Sequence, residues 1–216
     1  MPECNAPSCL KIGLDPILVH LGPVALGWYG LMIAVGFILA IRVALGEAER
    51  RGVDPDQLLS AILVAALVGL LGARVYYILE SDPGFYLAHP GDALSLWQGG
   101  LSFYGGIFGA ILGAWLYCAR YNLPTLRVLD IGALAAPLGQ AVGRIGSIVN
   151  GDVPGYFTHG FGVAYTNPHN PLIAPIALGR PMHPVAIYEA LVDLALFAFL
   201  YLVMRRRRLN PGQLGG

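Results

Sequence analysis

Arg144 lies in an apolar segment, and polar residues recur on its helical face. Gln140 precedes it by four residues and Ser147 follows it by three, so a helix over this segment places all three side chains on one side. A charged side chain inside a membrane is costly and normally faces a partner, a cavity or a substrate. Because a planar guanidinium matches a phosphate group, the pattern is typical of an anion-binding site.

Acidic residues stand at a similar depth in a second apolar segment. Glu189 and Asp193 are four residues apart and share a helical face. The segment 150–183 joins the two apolar segments, which therefore run antiparallel and allow a contact between Arg144 and Glu189. Arg74, in a third segment, has the same predicted depth. Three interpretations stay open: a cavity that accepts an anion, a purely structural ion-pair network, or an Arg144 side chain that extends to the outer membrane interface.

Two tyrosines are further candidates. Tyr104 lies between the double glycines at 99–100 and 105–106, which favour an irregular turn that presents this side chain to a cavity. The glycines at 105, 109 and 113 equally indicate close packing of a helix through small residues. Tyr29 belongs to Trp28-Tyr29-Gly30, which fits either a site residue or an aromatic belt at the membrane interface.

The composition indicates that a membrane protein positions these residues. Apolar residues make up 56% of the 216 residues and charged residues 12%, whereas soluble domains carry about 25% charged residues. The equal numbers of basic and acidic residues, 13 each, argue against a nucleic-acid-binding protein. Five apolar runs are long enough to span a bilayer, near 22–45, 58–79, 101–118, 128–149 and 184–204. We predict an all-α polytopic membrane protein with about five transmembrane helices in one domain over 1–216.

The distribution of arginine predicts the orientation. Basic residues cluster at the ends of the first, third and fifth runs and in the connections that follow, as Arg42, Arg50, Arg51, Arg120, Arg127 and Arg205–Arg208. Lys11 and Arg180 stand on the other side. The positive-inside rule therefore puts the N-terminal segment 1–21 outside and the basic tail 205–216 in the cytoplasm. The external segment 150–183, rich in Gly, Pro and aromatic residues, is predicted to form an ordered cap with a short strand over 161–165.

Five sequence pieces point to a known family. They are Asp15-Pro16 with Trp28-Tyr29-Gly30, Gly72-Ala-Arg-Val-Tyr76, Gly99-Gly-Leu-Ser-Phe-Tyr-Gly-Gly106, Gly143-Arg-Ile-Gly-Ser-Ile-Val-Asn-Gly-Asp152 with Gly155, and His183-Pro-Val-Ala-Ile-Tyr-Glu189. In types and order, from about residue 14 to 214, they resemble the bacterial prolipoprotein diacylglyceryl transferases. That family moves the diacylglyceryl group of phosphatidylglycerol to the thiol of a lipobox cysteine. The resemblance implies a protein of the bacterial cytoplasmic (inner) membrane.

The resemblance also implies roles for the site residues. Arg144 would bind the phosphatidylglycerol headgroup and stabilise the leaving phosphate. Tyr29, Asn150, Asp152 and Gly155 would shape the site, and His183 and Glu189 would support it. Arg74 and Ser147, which the polar pattern of the spans indicates, are further predicted substrate-binding residues. Tyr104, a poor base at its usual pKa near 10, and Asp152 remain the alternatives for accepting the thiol proton. The substrate supplies the nucleophile, so neither a cofactor nor a metal is implied; the partners are phosphatidylglycerol, the prolipoprotein signal peptide with its lipobox cysteine, and membrane lipids.

The chain departs from the family pattern at two points. Ser147-Ile148 stands where the family has Asn-Phe, and that Asn is functional there. The chain is also expected to lack the last two of the family's seven spans, together with an external Arg. These departures favour an alternative: a catalytically impaired or truncated relative that binds phospholipid or lipoprotein signal peptides without transfer. A transporter is disfavoured, because the polar groups crowd the outer half of the spans.

Overall fold

The structure, a computed structural model, describes residues 9–21, 24–95, 99–168, 170, 173 and 175–206. Its helices are α1 (Trp28–Arg51), α2 (Pro55–Glu80), α3 (Pro83–Ala88), α4 (Pro90–Ala93), α5 (Phe103–Tyr121), α6 (Thr125–Asn150) and α7 (Val185–Arg206). Its strands are β1 (Cys9–Ile12), β2 (Ile17–Leu21), β3 (Val24–Gly27) and β4 (Gly162–Tyr165), and a short 3-10 helix covers Pro175–Ala177. Long helices dominate, and the predicted all-α membrane class is confirmed.

Long apolar helices occupy the predicted spans. Four of them, α1, α2, α6 and α7, are long and apolar enough to cross a membrane. The chain is therefore a multi-pass membrane protein. The predicted third span corresponds to α5, a helix of 19 residues that is not among these four. Its glycines, tyrosines and terminal Arg120 lower its mean hydropathy, so the fifth crossing remains a prediction.

The described residues form two compact units. The first comprises residues 9–42 and 134–206, and the second comprises residues 43–133. The predicted N-terminal segment 1–21 and basic tail 205–216 lie partly outside the described residues, as do positions 22–23 of the first predicted span. Each unit is described separately below.

Close backbone contact between α2 and α5 organises the second unit. A Cβ atom on Gly72 would lie 2.5 Å from the carbonyl oxygen of Gly105, and one on Gly109 would lie 2.5 Å from that of Val68. Only glycine permits this approach, and packing through small residues is how membrane helices associate. The glycine repeat of α5 is therefore a packing surface, as one of the two interpretations predicted.

In the first unit, the N-terminal part of α1 packs on the C-terminal part of α6. A Cβ atom on Gly36 would lie 2.5 Å from the Gly139 carbonyl oxygen, and one on Gly146 would lie 2.8 Å from Cα of Tyr29. Glycine thus brings the start of α1 close to the end of α6. The site residues of both helices are held near the same end.

The segment 150–183, which we call the cap, contains a small sheet. The predicted strand over 161–165 is present as β4, which pairs in parallel with β1. Met182 extends the sheet, because its backbone N–H and C=O exchange hydrogen bonds with Val163 at 2.9 and 2.8 Å. Apolar side chains fill its core, namely Ile12, Val163, Tyr165, Ile173, Ala177 and Met182. His169 and positions 171, 172 and 174 of the cap lie outside the described residues.

Candidate active site

Arg144 and Glu189 form an ion pair in the first unit. Nε of Arg144, on α6, lies 3.2 Å from Oε2 of Glu189, on α7, and the two side chains are 33% and 38% exposed. Asp193, one helical turn further along α7, also interacts electrostatically with Arg144. The contact that antiparallel spans allowed is thus formed, with a second carboxylate beside it.

The guanidinium of Arg144 keeps its hydrogen-bonding capacity. Oε2 of Glu189 accepts no hydrogen bond despite its closeness, so the pair is held by charge rather than by an aligned N–H···O contact. Within the described part of the chain, the terminal nitrogens Nη1 and Nη2 of Arg144 have no hydrogen-bond partner either. Two-pronged binding of an oxyanion uses these terminal nitrogens, so the Arg144 side chain can bind an oxyanion through them.

Ser147 and Tyr29 lie where α6 meets α1. Ser147 follows Gly146, whose Cα faces the backbone of Tyr29, and it is fully buried with 1% exposure. Tyr29 is part-exposed at the first turn of α1. Both predicted site residues therefore belong to the same end of the first unit as Arg144.

The chain leaves α6 through Asn150 and turns at Gly151, which has a φ of +74°. Nδ2 of Asn170 donates to the Asn150 carbonyl oxygen at 3.0 Å and ties the cap to the helix end. Asp152 is exposed. Burial, followed by the negative charge of Asp152, raises the pKa of Tyr165 to about 12, so this hydroxyl stays protonated and donates to the Ile148 carbonyl oxygen.

Gly155 permits a close approach to His183. A Cβ atom on Gly155 would lie 2.3 Å from the His183 carbonyl oxygen and 3.0 Å from its Cβ. The imidazole is exposed, and its Nδ1 lies 3.3 Å from the hydroxyl of Tyr188. A shallow pocket opens here, with Gly155, Tyr165 and His183 among its lining residues. The sequence interpretation missed Tyr188, whose spacing of five residues from His183 is not a recognised motif.

Arg74 and Tyr104 belong to the second unit. The Arg74 guanidinium is buried and donates to four backbone carbonyl oxygens, those of Asp92, Ala93, Gly99 and Gly100, at 2.6–2.9 Å. It therefore holds the connection between α2 and α5. Tyr104 is 64% exposed at the first turn of α5, after the positive-φ residues Gly99 and Gly100. A shared cavity with Arg144 stays a prediction for both.

Comparison with known proteins identifies the family. The family model described as prolipoprotein diacylglyceryl transferase matches residues 16–216. The chain belongs to this family. A relative from Nitrosomonas europaea, named phosphatidylglycerol–prolipoprotein diacylglyceryl transferase, is 37% identical over 198 residues, which cover 90% of this chain and 68% of the relative. Relatives of the same name from Lactiplantibacillus plantarum and Geobacter sulfurreducens are 35% and 39% identical, over 89% and 90% of this chain and 68% and 73% of their own lengths.

Membership confirms the resemblance that the five sequence pieces indicated. The matched region contains every predicted site residue, from Tyr29 to Glu189. The relatives are named as transferases, so the chain is a member of a transferase enzyme family. The roles of individual residues remain predictions of the geometry described above.

Proposed function

We propose that this protein transfers the diacylglyceryl group of phosphatidylglycerol to the lipobox cysteine of prolipoproteins. The cysteine sulfur attacks the glyceryl carbon attached to the phosphate, a C–S bond forms, and the C–O bond breaks. Glycerol phosphate leaves with the electron pair, and the thiol proton passes to a protein group. The observation that carries this proposal is Arg144, which pairs with Glu189 of α7 through Nε and whose terminal nitrogens have no hydrogen-bond partner among the described residues.

Arg144 supplies the electrostatic part of the reaction. Negative charge grows on the phosphate oxygen as the C–O bond breaks, and a positioned guanidinium stabilises it. Glu189 orients Arg144 from α7. Tyr29, Ser147 and Asn150 shape the headgroup site beside it, and Gly155 and His183 form the adjoining wall.

The proton acceptor is one of two groups. Asp152 is exposed and lies eight residues beyond Arg144 in the same unit. Tyr104 is exposed in the second unit. Asp152→Asn and Tyr104→Phe separate them. Loss of the true acceptor should lower the rate at neutral pH and leave the reaction dependent on thiol ionisation, so that the rate recovers as the pH rises. Loss of the other group should keep the pH profile of the parent.

The test is transfer in liposomes of phosphatidylglycerol with a lipobox peptide, followed by peptide mass. The parent chain is expected to add one diacylglyceryl group. Arg144→Gln should lower the rate about a hundredfold, the cost of losing one charge-stabilising group, and Arg144→Lys should recover only part of it. Arg120→Gln removes an equal charge from an exposed position on α5 and should leave the rate unchanged.

Absence of any mass gain, with a full-length relative active in the same liposomes, would contradict transfer by this chain. The alternative of a relative that binds without transfer rests on Ser147, which stands where the family has Asn and is buried. Under that alternative, the parent binds phosphatidylglycerol without transferring it. Ser147→Asn should then restore transfer if the missing amide is the cause.

A further inference from the structure

Arg180 and Phe157 form a stacked pair in the cap, outside the contacts of Arg144. Cζ of Arg180 lies 3.8 Å from the centroid of the Phe157 ring, well inside the range of a cation–π contact. Among the described residues, the guanidinium makes one long hydrogen bond, from Nη1 to the Ile176 carbonyl oxygen at 3.4 Å. Its Nε is buried without a partner, and no ion pair of Arg180 occurs within the described part of the chain. The Arg180 guanidinium is therefore held in place, while most of its N–H donors form no hydrogen bond with the described residues.

The backbone on both sides of the pair is fixed by the cap sheet. Gly179 N–H donates to the Tyr165 carbonyl oxygen at 2.8 Å, and Met182 N–H donates to that of Val163 at 2.9 Å. Phe157 is placed by the next bond, from Thr158 N–H to the Pro181 carbonyl oxygen at 3.0 Å. The stacked guanidinium has thus lost much of its rotamer freedom before any ligand arrives, which favours binding.

The surroundings of the pair indicate a lipid surface. Phe157 follows the end of α6 by seven residues and Arg180 precedes α7 by five, so both lie close to the ends of membrane-spanning helices. Tyr156, Phe157 and Ile176 expose large apolar surfaces, 91% for Tyr156. Aromatic side chains with a neighbouring arginine are typical of the headgroup layer, where a guanidinium meets phosphate.

We propose that the Arg180–Phe157 pair is a second anion site, which binds the phosphodiester of an anionic lipid headgroup at the membrane face that carries the cap. The free donors of Arg180 hydrogen-bond the phosphate oxygens, and the Phe157 ring covers the back of the guanidinium. Arg144, which pairs with Glu189, is a separate anion site on α6. Under the proposed function, this second site supplies phosphatidylglycerol to the cap side without taking part in the transfer step.

The test counts lipids bound to the purified protein by native mass spectrometry in a neutral detergent. Phosphatidylglycerol is compared with zwitterionic phosphatidylethanolamine and with soluble glycerol phosphate. Arg180→Gln should weaken binding of one phosphatidylglycerol about tenfold or more, since charge-assisted hydrogen bonds are lost. Phosphatidylethanolamine binding should not change, and glycerol phosphate should bind far more weakly than the lipid.

Matched variants keep the test decisive. Arg120 also stands over an aromatic ring, with Cζ 5.4 Å from the Tyr121 centroid, so Arg120→Gln controls for loss of charge and should keep the lipid. Arg180→Lys and Phe157→Leu retain the charge and should give intermediate losses, which covers the case in which Arg180→Gln fails to fold. In an Arg144→Gln background, where transfer is expected to be about a hundredfold slower, the Arg180 effect on lipid binding should persist.

Three results would overturn the proposal. These are unchanged lipid binding by all the Arg180 and Phe157 variants, an equal loss in Arg120→Gln, and disappearance of the Arg180 effect in the Arg144→Gln background. Glycerol phosphate binding as tightly as the lipid would assign the site to a free anion instead. Failure of the proposed function can be distinguished from failure of this second site. It would appear as absent transfer by a protein that still binds the same number of lipids.

Discussion

An arginine at membrane depth costs about 2.5–3.5 kcal/mol on insertion scales, and the protein meets Arg144 with two carboxylates from α7. Glu189 pairs with it directly and Asp193 acts from one turn away. Neither partner occupies the terminal nitrogens of the guanidinium. This arrangement stabilises the charge without engaging the terminal nitrogens, which distinguishes Arg144 from Arg74, whose donors are bound to backbone carbonyl oxygens.

Gly155→Ala is expected to destabilise the protein and impair transfer. The new methyl group would lie 2.3 Å from the backbone oxygen of His183, which no side-chain rotation can relieve, so a cost of about 1–3 kcal/mol is expected. Gly160→Ala is the matched control, because its nearest neighbour is the Thr158 hydroxyl at 3.7 Å. Thermal unfolding midpoints in detergent compare the two. Equal midpoints would show that the Gly155 contact is not tight in solution.

At the level of single residues, sequence could predict the Arg144–Glu189 contact but not the task of Arg74. The first followed from the depth of two residues in antiparallel spans. The role of Arg74 depends on backbone carbonyl groups of residues 92–100, up to 26 positions along the chain. Every residue has such a carbonyl group, so the residue types do not indicate which ones bind Arg74. The close approach of Gly155 to His183 has the same origin.

Among the elements, α2 and α5 associate through glycine, and this contact should be sensitive to one methyl group. Gly109→Ala would place Cβ 2.5 Å from the Val68 carbonyl oxygen, so destabilisation by about 1–3 kcal/mol is expected. Gly46→Ala on α1 meets nothing within 4 Å and should be neutral or slightly stabilising. Thermal unfolding of both variants checks this, and a neutral Gly109→Ala would contradict tight packing.

The cap is joined to α6 by the Tyr165 hydroxyl, and this link should fail at alkaline pH. The pKa of Tyr165 is raised from 10.0 to about 12 in the folded protein. Between these two pH values, the folded protein keeps the Tyr165 proton while the unfolded chain releases it. The stabilisation that this hydroxyl gives to the folded state is therefore complete below about pH 10 and is lost as the pH rises toward about 12. Tyr165→Phe should cost about 1 kcal/mol at neutral pH through the lost hydrogen bond to Ile148. The difference from the parent should shrink above about pH 10.

Tyr156→Phe is the control for that measurement, because Tyr156 is exposed. Its unfolding free energy should follow the parent at every pH. A constant difference between Tyr165→Phe and the parent across the alkaline range would show that the hydroxyl does not hold its proton through folding.

Periodicity and hydropathy predicted the long helices, and they failed where apolar residues form other structures. The first predicted run, 22–45, includes Val24–Gly27, which is strand β3 in an antiparallel hairpin with β2. Short apolar runs do not distinguish strand from helix. Sequence predicted β4 but not its partner β1, since the paired residues Cys9 and Gly162 are about 150 positions apart and only the folded chain brings them together.

For the whole molecule, the orientation and the crossing of α5 can be tested together. A helix of 19 residues is about 28 Å long, close to the hydrocarbon thickness of about 30 Å, so its length suffices even though its glycines reduce its hydropathy. The positive-inside rule places Arg120, at its end, in the cytoplasm. The connection before α5 and the cap are then both external.

Single cysteines at exposed positions should report this arrangement. In a background whose native cysteines are replaced by serine, His89→Cys and His159→Cys should react with a membrane-impermeant maleimide in intact spheroplasts. Arg120→Cys should react only after permeabilisation, because it lies on the opposite side. If all three react from outside, α5 does not cross the membrane; if only Arg120→Cys reacts, the predicted orientation is inverted and the cap, with Arg180, faces the cytoplasm.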